Sequence, residues 1–395
     1  MTNKSSTKAT VLILTSDAGS GHRSAANAID YALRAQGITP IVANPAHHPL
    51  APHTLVEAER FYLDMVHRAP EQYALAHSLT DAPGLDLFLE YSLAGALRKS
   101  LAALVLTHQP DVVVSVYPLF TRIISSMFRR NNRPRLMTVV TDLGNVHRAW
   151  FNQADDCVAV PTLTVRDKAL KCGIDIARVV HTGLPINPAF GRIPGNPTAL
   201  RAELGWDTAL PTMVLLSGGA GIGPVAPMAE ALDTISNPYQ IIIVAGRNQQ
   251  LATQLRAYPW RHPTHVYDFV PLVNVMHAAD IVASKAGGLT VSECLAAGKP
   301  MLFYGDAPGQ EGGNRDYVVA NGAGLVAGNA QSFVNYATTL LSSVPLRTSM
   351  AYAARQLGMP DAASAVADEV QRLLALPASR VASRLSKLRI PHTRT

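Results

Sequence analysis

The sequence predicts an α/β protein with two doubly wound, Rossmann-like domains in tandem. Its short apolar runs are continuous rather than alternating, and each is followed by a turn and a helical pattern. That succession is typical of parallel strands covered by helices on both faces. The series restarts after the Pro- and Gly-rich stretch 183–197, which we interpret as the interdomain linker. Ligands of such domains bind where the carboxyl ends of the strands open into a cleft.

Six strand candidates precede the linker and six follow it. Helical patterns at 22–36 and 121–130 separate candidates of the first half. Residues 45–100 interrupt the alternation with a helical pattern, which indicates either a helical pair packed on the first sheet or an acceptor- or membrane-facing subsite. The strand candidates are residues 11–16, 39–44, 111–117, 136–142, 157–162, 179–183, 212–219, 240–246, 264–269, 280–285, 300–305 and 323–328.

The composition is that of a globular protein. The chain has 395 residues, of which 48% are hydrophobic and 16% charged, enough for two domains of moderate size. Its cysteines, Cys157, Cys172 and Cys294, form no pair with zinc-ligand spacing, and we expect a reduced, cytoplasmic location. No run of about 18 apolar residues is present, so we expect no membrane-spanning helix.

The positive charge is concentrated at the end of the chain. The formal net charge is +6, and the tail 377–395 carries five Lys and Arg and no acidic residue. The rest of the chain is close to neutral, which argues against nucleic-acid binding. Val381, Leu385 and Leu388 recur at helical spacing beside basic residues. This pattern indicates either a basic amphipathic segment for an anionic membrane surface or a solvated tail.

The first strand candidate runs into a glycine loop that precedes a helix. Gly19 and Gly21 allow backbone N–H groups to approach an anion at the helix start. Ser24 stands where a dinucleotide fingerprint has its third glycine and Asn44 where it has an acid, so NAD binding is not indicated. His22 is either a hydrogen-bonding residue of the helix start or a base that takes a proton from an attacking hydroxyl.

Three further loops predict a nucleotide-sugar site in the second half. Residues 217–224 hold four glycines within six positions, which indicates a phosphate-binding loop. Residues 284–290 form a second strand-to-helix turn. Glu293, one turn into that helix, is placed either to accept ribose hydroxyls or to offset the helix dipole. The loop 308–314 presents adjacent amide and carboxylate groups, as sugar hydroxyls require.

At these loops the sequence resembles glycosyltransferase family 28, and within it the monogalactosyldiacylglycerol synthases and bacterial diacylglycerol glucosyltransferases. The segments SKAGGLTVSECLAAGKP and PGQEGGNRDYVVANGAG carry the most specific likeness. The matching segments span nearly the whole chain in the family's order: residues 17–29, 141–151, 183–190, 215–225, 245–251, 269–276, 284–300 and 308–324.

The resemblance implies a GT-B fold, in which two doubly wound domains face each other across a cleft. It implies an acceptor-binding domain over residues 1–190 and a UDP-sugar-binding domain over 191–360. A C-terminal helix over 361–376 and a basic tail over 377–395 complete the expected organisation.

The resemblance also implies roles for individual residues. His22 matches the family's general base, and Asp142, His147 and Trp150 match an interdomain segment near the acceptor, with Gly19 and Gly21 on the same side. Phe269 and Val270 match the place where the backbone pairs with uracil, Glu293 the ribose contact, and Gln310 and Glu311 the hexose contacts. The expected UDP-sugar-binding residues are Gly218, Gly219, Gly221, Gly223, Arg247, Phe269, Val270, Gly287, Thr290, Glu293, Gln310, Glu311 and Asn314.

One motif departs from the family pattern. The family usually reads SKAGPGT, whereas this chain has Gly288 and Leu289 in place of the Pro-Gly pair and keeps Thr290. The departure bears on the stiffness of the loop and on donor affinity.

The implied reaction is a single inverting displacement that forms a β-glycoside from an α-linked UDP-hexose through an oxocarbenium-like transition state. His22 would activate the acceptor hydroxyl. Backbone N–H groups of residues 218–223 and helix dipoles would stabilise the departing UDP in place of a metal. No DxD-type sequence follows a strand of the second half, so we expect neither a metal nor a cofactor beyond the UDP-hexose donor.

The expected acceptor is a lipid, most directly 1,2-diacylglycerol, at the inner face of the plasma membrane. Other readings stay open: a polyprenyl, sterol or soluble acceptor, a UDP-sugar epimerase on the same fold, or a protein that only binds nucleotide sugars. The sequence does not distinguish galactose from glucose as the transferred sugar.

Overall fold

The computed structural model contains two parallel, six-stranded sheets with helices packed on them. Every strand pair within the two sheets is parallel. The fold is therefore the α/β architecture that the continuous apolar runs predict. The structure describes residues 9–17, 19–57, 79–81, 85–192, 196–219, 221, 223–305 and 309–376.

The first sheet has the strand order β2-β1-β3-β4-β5-β6. The order reverses beside β1, so the loop after β1 lies at the point where such sheets bind ligands. Each strand overlaps one of the six candidates of the first half, and only β4 begins earlier than its candidate, by one residue. The strands are β1 (Val11–Leu14), β2 (Ile41–Ala43), β3 (Val112–Ser115), β4 (Arg135–Val139), β5 (Cys157–Val160) and β6 (Val179–His181), and the helices are α1 (Ser20–Ala35), α2 (Leu85–His108), α3 (Phe120–Met127) and α4 (Leu163–Lys171).

The second sheet has the order β12-β11-β10-β7-β8-β9, with its reversal between β7 and β10. Its strands are β7 (Thr212–Leu216), β8 (Gln240–Val244), β9 (Thr264–Tyr267), β10 (Ile281–Ser284), β11 (Met301–Phe303) and β12 (Gly324–Val326). Its helices are α5 (Pro197–Glu203), α6 (Val225–Leu232), α7 (Gln249–Ala257), α8 (Leu272–Ala278), α9 (Gly288–Ala296), α10 (Gln310–Ala320), α11 (Ala330–Ser342) and α12 (Val344–Leu357).

Helices α6, α9 and α10 follow β7, β10 and β11, which are neighbouring strands. Their amino termini therefore lie together at the carboxyl edge of the second sheet. The positive ends of the helix dipoles make that edge favourable for anions.

Apolar side chains cover both faces of each sheet. Every residue of β1 is fully buried, and three of the four residues of β3 are buried valines. Apolar clusters cover both faces of each sheet, with two clusters side by side on one face of the first sheet. At roughly 25 cal/mol per Å² of buried apolar surface, these layers hold the strands rigidly and fix the positions from which the loops at the carboxyl edges start.

The described first part of the linker, residues 183–192, packs on the second domain. Leu184, Ile186 and Phe190, which the sequence interpretation places with the first domain, lie in the core of the second. A Cβ atom on Gly183, whose φ is 84°, would stand 2.6 Å from the Cβ of Met359. The linker therefore packs directly against the segment that follows α12.

After α12 the chain returns to the first domain. The expected C-terminal helix is present as α13 (Ala362–Ala375) and packs against α1. Its buried residues Val366, Val370 and Leu373 join Ile29 and Leu33 in one apolar cluster. The first domain is thus completed by residues from the end of the chain.

Two predicted features lie wholly or partly outside the described residues. Helix α2 agrees with the helical pattern predicted for 45–100, but residues 58–78 and 82–84 of that stretch are not described. The basic tail 377–395 also lies outside. Among the residues that are described, no helix has the length and apolar character needed to cross a membrane.

Truncating Leu373 tests the return of α13 to the first domain. Leu373→Ala should lower the free energy of unfolding by about 2–4 kcal/mol, because it leaves a cavity at a side chain only 1% exposed. In hydrogen-exchange measurements the loss of protection should appear in β1 and β3. Leu376→Ala, at a side chain 39% exposed, is the matched control and should change stability by less than about 0.5 kcal/mol. Equal effects of the two variants would contradict the packing.

Candidate functional site

The loop after β1 places His22 in the first turn of α1. Gly19 caps that helix with a φ of 99°, a conformation that glycine adopts without strain. The ring of His22 lies edge-on to Tyr117 with centroids 5.1 Å apart, and 6.1 Å from the ring of Trp150. Its Nδ1 atom is 3.1 Å from the hydroxyl oxygen of Thr141. The imidazole is therefore held in one orientation by aromatic walls and a hydroxyl.

Burial decides the charge of His22. It lowers the pKa of His22 to about 4, although a hydrogen bond with the backbone of Val116 acts in the opposite direction. The ring is therefore neutral at physiological pH and has a lone pair with which to accept a proton.

The other residues expected on the acceptor side lie near His22 but differ in their surroundings. Trp150 is buried and walls the His22 pocket. His147 accepts a hydrogen bond from the N–H of Ala149 at 3.1 Å, and its Nε2 lies 3.2 Å from the hydroxyl of Thr80. Both ring nitrogens of His147 are thus used to hold the turn that carries Trp150.

The glycine loop between β7 and α6 lies at the carboxyl edge of the second sheet. Gly218, Gly221 and Gly223 have φ values of 75°, 69° and 121°, which other residues rarely adopt. The side chain of Asn248 donates to the carbonyl of Gly221 at 2.9 Å, and the N–H of Arg247 donates to the carbonyl of Gly219 at 3.3 Å. These bonds fasten Gly219 and Gly221 to the turn before α7.

Arg247 and Phe269 form a pair at the rim of the second domain. The Arg247 guanidinium carbon lies 5.0 Å from the centre of the Phe269 ring, and Phe269 is 62% exposed. Val270 turns inward and packs on the core. An exposed aromatic ring braced by a cation is a suitable surface for a planar base.

Glu293 is a buried carboxyl on α9, the helix that begins after Gly287 and carries Thr290 in its first turn. It is 8% exposed, and no other described side chain or backbone group makes a hydrogen bond to its carboxyl. Burial raises the pKa of Glu293 to about 8. Such a group gains most when a ligand supplies hydroxyl partners.

Lys285 lies beside the glycine loop and was missed in the sequence-based set of site residues. Its Nζ is 3.8 Å from a carboxylate oxygen of Glu311, in the first turn of α10, and its Cδ would be 3.5 Å from a Cβ built on Gly223. Gln310 begins the same helix. The available signal was a lysine directly after the buried strand β10, within the most specific motif.

Asn314 lies in the contact between the domains and not on the open wall of the cleft. It is fully buried, and its side-chain oxygen accepts from the N–H of Leu143 at 2.6 Å. Its side-chain amide donates to the carbonyl of Ala286 at 3.1 Å and to Asp142 at 3.3 Å. Both N–H donors expected for the UDP-sugar are therefore engaged with the protein. Burial raises the pKa of Asp142 to about 6, although this bond opposes the shift.

The structure gives a reason for the departure at Gly288 and Leu289. A Cβ atom at Gly288 would stand 2.5 Å from the carbonyl oxygen of Thr141, so no larger residue fits there in this arrangement of the domains. The Cβ of Leu289 lies 3.9 Å from the position of a Cβ on Gly21. The loop after β1 and the loop after β10 thus approach each other at this point.

The neutral imidazole belongs to the first domain, and the second domain contributes groups that favour anions. These groups are the glycine loop, the amino termini of α6, α9 and α10, and Lys285. Within the described ranges, no group of three or more His, Cys, Asp or Glu side chains could hold a metal ion.

Comparison with known proteins finds matches in both halves of the chain. Residues 22–186 match the family described as monogalactosyldiacylglycerol (MGDG) synthase. Residues 217–356 match the family described as glycosyltransferase family 28 C-terminal domain. Monogalactosyldiacylglycerol synthase 3 of Arabidopsis thaliana is 35% identical over 329 residues, which are 80% of this chain and 70% of that protein.

Solved structures share the fold at low sequence identity. MurG of Acinetobacter baumannii aligns over 92% of this chain and 99% of its own with a TM-score of 0.60 and 19% identity. A UDP-GlcNAc 2-epimerase of Neisseria meningitidis bound to UDP-GlcNAc aligns over 92% of this chain and 100% of its own, with a TM-score of 0.58 and 16% identity. The expected GT-B fold is confirmed.

The pKa of Glu293 predicts a pH-dependent stability. Between its unfolded pKa of 4.5 and its folded pKa of about 8 the native state binds more protons than the unfolded state. The contribution of Glu293 to the free energy of unfolding therefore falls as the pH rises from 5 to 8, by about 3–5 kcal/mol. In urea titrations Glu293→Gln should flatten the pH dependence, and the exposed control Glu203→Gln should leave it unchanged. Parallel curves for wild type and Glu293→Gln would disprove the shift.

Proposed function

Because the chain belongs to the monogalactosyldiacylglycerol synthase family of glycosyltransferases, we propose that it transfers galactose from UDP-galactose to 1,2-diacylglycerol and forms a β-galactolipid. The named relatives favour galactose over glucose as the sugar and diacylglycerol over a polyprenyl acceptor. The observation that carries the proposal is the neutral His22 in the first domain, together with the amino termini of α6, α9 and α10 at one edge of the second sheet.

His22 acts as the general base in this proposal. A glycerol hydroxyl placed against the ring gives its proton to the imidazole as its oxygen attacks the anomeric carbon of the hexose. The bond to the β-phosphate oxygen breaks on the opposite face of the sugar, so an α-linked donor yields a β-linked product. Tyr117 and Trp150 exclude water from the imidazole, which limits hydrolysis of the donor.

The second domain stabilises UDP as it leaves. Backbone N–H groups of the 218–223 loop and the amino terminus of α6 face the diphosphate. Lys285 adds a positive charge beside Gly223, in the place where other transferases use a divalent cation. We infer that the reaction is independent of a metal ion, because Lys285 and the helix dipoles supply the positive potential at the diphosphate.

The remaining contacts orient the donor. Phe269, braced by Arg247, lies under the uracil, and the neutral carboxyl group of Glu293 forms hydrogen bonds with the ribose hydroxyls. Gln310 and Glu311, at the start of α10, accept and donate to the hexose hydroxyls. Thr290 and Gly287 complete the site at the start of α9.

The acceptor places the enzyme at a membrane surface. Diacylglycerol is delivered in a bilayer, and the five basic residues of the tail 377–395 can bind anionic headgroups at about 1 kcal/mol each. We propose peripheral attachment at the inner face of the plasma membrane. Deleting 377–395 should reduce co-sedimentation with anionic vesicles, and unchanged co-sedimentation would reject the tail as the anchor.

One assay tests the reaction and its alternatives together. The protein is incubated with UDP-galactose or UDP-glucose in diacylglycerol vesicles, in polyprenyl phosphate vesicles and without acceptor, and the products are separated by chromatography. The proposal expects galactosyldiacylglycerol from the first combination. A new UDP-sugar formed without acceptor would identify an epimerase. A product formed only with polyprenyl phosphate would show that this lipid, and not diacylglycerol, is the acceptor.

Loss of the base should stop turnover and leave donor binding intact. His22→Ala should lower kcat by about a hundredfold or more, the scale of general-base removal, with little change in the Kd for UDP measured by calorimetry. The exposed His181→Ala is the control and should retain activity. Near-normal turnover of His22→Ala would remove His22 from the reaction.

Removing the Lys285 charge should weaken the binding of UDP. Lys285→Met keeps most of the side-chain volume and should raise the Kd for UDP about tenfold, which corresponds to about 1.4 kcal/mol. Transfer should continue in EDTA. The exposed Lys171→Met serves as control. Loss of activity in EDTA that added Mg²⁺ or Mn²⁺ restores would show that a cation supplies this charge instead.

A further inference from the structure

We propose that Asn314 is a positioning residue that locks the two domains together and thereby aligns His22 with the donor. The inference rests on the proposed function for the identity of the base and the donor. It replaces the expectation that Asn314 contacts the UDP-sugar. Its partner in the first domain is the segment 141–145, between β4 and the turn that carries Trp150.

Asn314 is the point at which three parts of the protein meet. Through Leu143 and Asp142 its side chain binds the first domain, and through Ala286 it binds the loop before α9. This position requires a side chain with one acceptor and two donors on one planar group, which only a carboxamide supplies. An aspartate could accept from Leu143 but would meet Asp142 as a second carboxylate.

Facing glycines allow the domains to touch backbone to backbone at this point. A Cβ atom on Gly144 would overlap the carbonyl of Gly313, and one on Gly313 would overlap the backbone N of Asn145. Gly288 meets the carbonyl of Thr141 in the same way. Two parts of the second domain therefore approach the segment 141–145 closely, with backbone against backbone at Gly144 and at Gly288.

The side chain of Leu143 strengthens the lock. It is 4% exposed and lies in the apolar cluster of the second domain, with Val291 and Val318. The carbonyl of Leu143 accepts from the hydroxyl of Thr162 at 2.8 Å, which fastens the segment to its own domain. The segment is thus rooted in the first domain and inserted into the second.

The lock connects the hexose contacts with the base. Gln310 and Glu311 precede Asn314 by about one helical turn on α10. On the other side, Thr141 lies against Nδ1 of His22. A change at Asn314 therefore moves the base relative to the sugar while the diphosphate loop and the Phe269 platform stay in place.

Kinetics and donor binding separate this role from a donor contact. Asn314→Ala should lower kcat about thirtyfold or more and change the Kd for UDP-galactose by less than about threefold. Asn335→Ala, at an exposed asparagine on α11, is the matched control. A normal kcat would overturn the proposal. So would a rise in Kd that matches the loss of kcat/KM, since that result identifies Asn314 as a donor contact.

A second measurement does not depend on catalysis. In the free protein the N–H of Leu143 is protected by its hydrogen bond to Asn314. Hydrogen exchange of peptides covering 141–147 should therefore be faster in Asn314→Ala. Because the two domains are then less tightly held together, small-angle scattering should show a larger radius of gyration. Gly144→Ala, on the opposite domain, should give the same two changes with an unaltered Kd for UDP. Unchanged exchange in both folded variants would overturn the lock even if the wild type proved to lack transferase activity.

Discussion

Direct backbone contact between the two domains, at Gly144 and Gly313, sets the width of the cleft. Each sheet fixes its own loops by burial, but neither sheet determines the distance between the loops of different domains. At this contact no side chain separates the two backbone segments, so the distance between the loops of the two domains is short and well defined. The neutral imidazole of one domain and the helix termini of the other can then act on the same bond.

In the cleft, burial shifts the pKa values of Glu293, Asp142 and His22 in the direction that favours their uncharged forms. Burial raises the pKa of Glu293 to about 8 and that of Asp142 to about 6, and it lowers the pKa of His22 to about 4. Near neutral pH the base is uncharged and Glu293 is largely protonated. Glu311 forms an ion pair with Lys285. A dianionic diphosphate therefore meets no negative charge at Glu293, and the helix dipoles and Lys285 attract it.

The strands and the donor loops could be predicted because their causes are local. Continuous apolar runs mark buried parallel strands, and glycines at 218, 221 and 223 are needed for left-handed backbone. The return of α13 could not be predicted, because an amphipathic helix reveals an apolar face but not its partner. Lys285 and Asn314 depend on contacts with residues distant in sequence, Glu311 in one case and Leu143 in the other. For Asn314, motif resemblance indicated the region correctly but did not indicate the contacts.

Helix α13 also bears on the order in which the domains form during synthesis. The core of the second domain is built from residues between Leu184 and Leu357 together with Leu143, and all of these leave the ribosome before α13 does. The first domain needs Val366 and Leu373 to complete one face of its sheet. Domains usually fold in the order of synthesis. Here the donor domain can mature first, while the first sheet keeps an uncovered apolar face until the last helix is released. During that interval the nascent chain exposes the surface that chaperones recognise.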